Sequence, residues 1–103
     1  MVAKSVVETV HEFAQVVKSR YPVKRIFLYG SHARGTSTPD SDIDVAVVLR
    51  NEPRDILQAE ADLYRIGMDI DVRIEPIIVD EEHDPSGFYE DISSTGTVVY
   101  SQT

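Results

Sequence analysis

The sequence contains no cysteine. That excludes disulfides, thiolate zinc sites and a cysteine nucleophile, and it fits a reducing compartment. Basic residues are scarce, with ten Lys and Arg against eighteen Asp and Glu, for a formal charge of −8. Gripping nucleic acid by general electrostatics takes a basic face, so that mode is not expected here. Acidity leaves room for cation binding or a basic protein partner. No long apolar run opens the chain, because Lys4, Glu8 and Glu12 interrupt it. Neither a secretory signal nor a membrane span is expected, and a soluble cytoplasmic protein is the default. Internal repeats and low-complexity segments are also missing.

What remains is the composition of a globular domain. The 103 residues are 42% hydrophobic and 27% charged. They are expected to form one domain over 1–103, with roughly 60–70% of the surface buried on folding. Val6, Val10, Phe13, Ala14 and Val17 recur at spacings of three and four and predict a helix over Val2–Arg20. Pro22 forbids its continuation. Lys24–Tyr29 reads as a strand ending at Gly30, and Ile43–Leu49 as an inner strand with a continuous apolar run. Asn51 and Pro53 suit the start of a second helix running to Ile66, with Gly67 as its stop. Met68–Val79 alternates in its first half and predicts a third strand, with Pro76 favouring a sheet edge. An acidic loop, a short helix over Gly87–Ser94 and a strand over Thr97–Tyr100 complete the order αβ(loop)βαβαβ. The expected class is α/β or α+β, a small mixed sheet flanked by helices.

The chemistry concentrates between Gly30 and Asp44. Glycine at a strand end allows a ligand close to the backbone, and the N–H groups after Ser31 can cradle a phosphate. Asp42 and Asp44, two apart at the start of a strand, leave one face with Cα atoms about 6.5–7 Å apart. Two such carboxylates suit a hard divalent cation such as magnesium. A third carboxylate from Met68–Val79 would join them, with Asp69, Asp71 and Glu75 all on one predicted face. Three clustered carboxylates repel and raise a pKa unless metal is bound, and two metals would clamp an in-line phosphoryl displacement. A calcium loop starting at Asp40 is excluded, since its sixth and twelfth positions are Val45 and Asn51 rather than Gly and Glu. His32 reads as a loop position, and Arg34 as a brace for the loop or a phosphate contact.

Gly30-Ser31-His32-Ala33-Arg34-Gly35, then Ser41-Asp42-Ile43-Asp44 before an apolar strand, resembles the minimal nucleotidyltransferases of the DNA polymerase β superfamily. Ten residues, His32 to Ser41, separate Ser31 from Asp42, and the resemblance extends over most of the chain. It implies a polymerase-β-like palm in which Gly30 and Ser31 contact nucleotide phosphates. Asp42 and Asp44 would hold two magnesium ions, or manganese. Asp71 would be the third carboxylate, helping to hold the catalytic metal and drawing the proton from the attacking hydroxyl, with Asp69 and Glu75 as alternatives. Stand-alone members are commonly paired with a helical HEPN protein. The resemblance therefore implies an antitoxin that transfers AMP from ATP to a hydroxyl of that partner. No second substrate-binding domain is apparent, which points to a partner supplying the acceptor. Two other readings stand beside it. One is a non-catalytic antitoxin that masks its HEPN partner by contact, although a pure binder has no use for clustered carboxylates. The other is transfer to RNA or a small molecule, with RNA disfavoured by the charge.

Overall fold

The computed structural model describes residues 4–102; the expected helix start at Val2 lies outside them. The elements are α1 (Lys4–Arg20), β1 (Val23–Tyr29), α2 (Ser31–Arg34), β2 (Ile43–Leu49), α3 (Ile56–Ile70), β3 (Ile74–Val79), α4 (Phe88–Thr95) and β4 (Thr97–Ser101). The strands form one mixed sheet in the order β3-β2-β1-β4. Strand β1 runs antiparallel to β2 and β4, while β2 and β3 are parallel and joined through α3. The order of elements and the mixed sheet are as the sequence predicts, with the short α2 added inside the polar loop.

Alternation along the inner strands buries both faces. On one side Ile26, Leu28, Ile43, Val45 and Val47 pack under α1 and α3, against Val10, Phe13, Val17, Leu63 and Ile66. On the other, Phe27, Ala46 and Val48 meet Ile92 of α4. This accounts for the continuous apolar run of β2. Pro76 falls on β3, an edge strand, where its missing N–H costs the ladder least.

Two expectations fail at α3. The helix starts at Ile56, because Asp55 is extended and its carboxylate accepts a hydrogen bond from the Gln58 N–H at 3.1 Å. Asn51 and Pro53 belong to the loop before it. Gly67 does not stop the helix; it is buried within it. A Cβ there would sit 3.0 Å from Ile74 Cγ2, so this glycine marks where α3 presses on β3. The helix continues to Ile70 and ends when the Asp71 N–H donates to the Gly67 carbonyl. The period-two pattern from Met68 was therefore coincidental. Met68 and Val72 are exposed, Gly67 and Ile74 are buried, and the strand proper begins six residues later than expected.

Candidate active site

The register of three neighbouring strands sets a row of side chains on the α4 face of the sheet. Tyr29 on β1 pairs with Asp44 on β2, and Asp44 pairs with Glu75 on β3. Each shares parity with a residue of the α4-side core: Phe27 with Tyr29, Ala46 with Asp44, Ile77 with Glu75. The row Glu75–Asp44–Tyr29 stands where β1 ends and β2 begins. Asp42, one residue before β2, is exposed and makes no ion pair among the described residues.

Gly30 turns the chain out of β1 with φ 75° and ψ −152°, a region nearly reserved for glycine. The position is also filled from across the sheet: a Cβ on Gly30 would lie 2.3 Å from Asp44 Oδ2. The Gly30 backbone and the Asp44 carboxylate are thus in direct contact, which links the two halves of the motif. Ser31 opens α2 and, among the described residues, its hydroxyl has no hydrogen-bond partner. Gly35 closes α2 in the left-handed conformation, as the Arg34-Gly35-Thr36 pattern suggests. Arg34 is exposed and in no ion pair among the described residues, yet its charge acts on Asp44. Among the described residues its side chain makes no hydrogen bond that would brace the loop.

His32 does the bracing. Its ring is buried, 5% exposed, and Nε2 donates to the Ser41 carbonyl at 3.2 Å; a carbonyl only accepts, so Nε2 carries the proton. Ser41 in turn holds the loop, its hydroxyl accepting from the Thr38 N–H at 2.9 Å. The ring therefore ties α2 to the residue just before Asp42. This burial is not legible in the chain, because nothing in the adjacent residues distinguishes a buried imidazole from an exposed one.

Asp71 sits at the C-terminal cap of α3, outside β3. Its carboxylate is bonded twice by the Arg73 side chain, at 3.0 and 2.8 Å, and once by the Arg73 N–H. Arg73 also donates to the Pro39 carbonyl at 3.0 Å, so the pair clamps the loop ahead of Asp42 to the approach of β3. The guanidinium holds the Asp71 carboxyl below the usual range. Asp69 is exposed in the last turn of α3. Of the three acids on one predicted face, the register sets only Glu75 directly opposite Asp44, because the strand starts at Ile74. The parity argument failed for the same reason that β3 was placed too early.

Burial, then the charge of Asp42, raises the Asp44 carboxyl, with His32 and Arg34 opposing. Tyr29 is pushed up to about 12 by burial and by the charges of Asp44 and Glu75. Negative charge is thus concentrated where, among the described residues, no cationic side chain forms an ion pair with it. Among the described residues, no group of three metal-ligating side chains is already arranged around one point. Magnesium needs no such cage: it binds through one or two carboxylates and completes its shell with water and substrate phosphates. The oxygen donors of exposed Asp42 and half-buried Asp44 fit that ion, with the Ser31 hydroxyl, unpartnered among the described residues, next to Gly30 in the chain. A hollow of about 460 Å³ lined by Lys24, Leu49, Arg50 and Ile56 lies at the other end of the strands, away from these groups. No helix among the described residues is long and apolar enough to cross a membrane.

Residues 10–93 match the family described as Nucleotidyltransferase domain. Two proteins of Methanocaldococcus jannaschii, both named "Putative protein adenylyltransferase", are similar over shorter stretches. One is 44% identical over 43 residues, 40% of this chain and 43% of that protein; the other is 45% identical over 40 residues, 39% and 40%. The chain thus aligns with less than half the length of the curated relatives it matches. A Sulfolobus solfataricus structure, a "putative nucleotidyltransferase", superposes with a TM-score of 0.71 at 20% identity, over 95% of this chain and 82% of that one. A chain from a toxin–antitoxin structure with AMP-PNP gives 0.69 at 18% identity, over 94% and 74%. At those identities the structural matches show a common fold.

Proposed function

Because the chain belongs to the nucleotidyltransferase domain family, we propose that it transfers AMP from ATP to a hydroxyl of a partner protein, with magnesium. The observation that carries the reading is the contact of Gly30 with Asp44, flanked by Asp42 and, in register, by Glu75. A phosphate-accepting turn and a cluster of carboxylates are thereby one site. The names of the curated relatives support a protein acceptor, and the toxin–antitoxin complexes among the structural matches support a toxin as the partner, for which the family resemblance implies a HEPN protein.

In this mechanism Gly30 and Ser31 receive the triphosphate, and Arg34 reaches its oxygens. Asp42 and Asp44 would hold the magnesium ions, which, when bound, supply positive charge against the triphosphate and the leaving pyrophosphate. Glu75 takes the role of third acid in place of Asp71. It is free of ion pairs among the described residues and stands beside Asp44. The acceptor hydroxyl gives its proton to Glu75, its oxygen bonds to the α-phosphorus, and the bond to pyrophosphate breaks. Asp71 keeps Arg73 in place, and Arg73 keeps the Asp42 loop in place.

The test combines purified protein, ATP, magnesium and a co-encoded HEPN protein. The expected product is the partner carrying one or more AMP units by mass spectrometry. Asp42→Asn should bind the partner and fail to modify it. If Asp42→Asn neutralises the toxin as well as the parent does, catalysis is dispensable and masking by contact replaces this reading.

A further inference from the structure

We infer that Phe88, standing edge-on to Tyr29, forms with it an aromatic ledge that receives the nucleobase of the nucleotide substrate; this rests on the proposed nucleotidyl transfer. The two rings are 5.9 Å apart between centroids at 88°. Phe88 is 45% exposed, so its ring, already fixed on one side by Tyr29, has a free surface. Tyr29 is the last residue of β1 and precedes Gly30-Ser31, where the phosphates are received.

The order of the strands decides which substrate group the ledge meets. Glu75 lies on β3 and Asp44 on β2, with Tyr29 on β1 and Phe88 on α4, which packs chiefly on β1. The acceptor hydroxyl must reach Glu75 to lose its proton and so enters from the β3 side. The nucleoside is left to the β1 side, where the ledge is. A planar base gains by stacking on an aromatic face whatever its hydrogen-bonding edge, so the ledge provides affinity for nucleosides in general.

The position of Phe88 is set, not incidental. The Asp84 carboxylate accepts from the Tyr89 N–H at 2.9 Å and the Glu90 N–H at 3.0 Å, capping α4 at its first turn. Tyr89, the next residue, packs edge-on against Phe27 and hydrogen-bonds Arg25 at 3.1 Å. With its neighbour anchored on both counts, Phe88 is held at the rim of the sheet.

Titration calorimetry with magnesium present tests this with two ligands, ATP and inorganic tripolyphosphate. Phe88→Ala should weaken ATP binding by about tenfold, within the range of base–aromatic stacking, and leave tripolyphosphate binding unchanged. Phe88→Trp should retain ATP affinity. An unchanged ATP affinity in Phe88→Ala overturns the inference, as does an equal loss for both ligands, which would mean a displaced site. A Phe88→Ala protein that binds ATP normally but modifies its partner poorly assigns the ledge to the acceptor and also overturns it. A parent protein that binds no ATP overturns the proposed transfer and the inference together.

Discussion

Gly30→Ala should damage the protein twice, and the structure allows the two effects to be separated. Any side chain at φ 75° and ψ −152° is strained, at about 1–3 kcal/mol. The new methyl would also lie 2.3 Å from Asp44 Oδ2, so the carboxylate must retreat by about 1 Å to reach ordinary contact, at about 0.5–1.5 kcal/mol if it leaves its rotamer. The sum is about 1.5–4.5 kcal/mol, a fall in melting temperature on the order of 7–22 °C for a domain of this size. Displacing a reacting-site group by about 1 Å costs on the order of a hundredfold in rate. Gly87→Ala is the control. Gly87 has φ 76° but nothing within 4 Å of its Cβ position, so it should lose only the conformational term, about 1–2 kcal/mol, with transfer unchanged. Thermal melts of the two variants and the parent, with transfer rates alongside, measure both effects. If the variants melt together and transfer AMP equally, the contact between Gly30 and Asp44 does not matter and the link between turn and carboxylates is refuted.

Four further outcomes follow from the site. Glu75→Gln should lower transfer by at least about a hundredfold, while Asp71→Asn keeps most activity; the reverse result would restore Asp71 as the third acid. Because burial and then the charges of Asp44 and Glu75 raise the Tyr29 phenol, Glu75→Gln should also move its ionisation down from about 12, read by ultraviolet titration against a Tyr29→Phe blank. Asp44 has a raised folded pKa, so the native state binds its proton more readily, and stability falls as pH rises through that interval. Asp44→Asn should therefore melt higher than the parent at neutral pH without metal, with the gain vanishing below the usual carboxylate range. Asp71 is lowered by Arg73, so its contribution is present above the usual carboxylate range and lost as pH falls through the lowered value; Asp71→Asn should melt lower at neutral pH and match the parent in strong acid.

The α1 stripe, the two inner strands and the Gly30 to Asp44 motif were all legible in the chain, since each is written in adjacent residues. A stripe at spacings of three and four can bury only as a helix, and an apolar run such as Val45 to Leu49 only between two covered faces. The acid that stands opposite Asp44 was not legible in that way. Asp69, Asp71 and Glu75 share parity, and parity identifies a neighbour only once the strand's first residue is known. That residue was decided by packing: Gly67 admits Ile74 at close range, α3 therefore runs on to Ile70, and β3 begins at Ile74 with Glu75 beside Asp44. The role of His32 was decided in the same way, by the fold of the loop that returns Ser41 to its ring. Local sequence determines which elements form and which residues can do chemistry, because helix period, strand alternation and turn geometry are short-range. Which carboxylate meets which depends on the register between strands distant in the chain, and that is set by the contacts of the folded core.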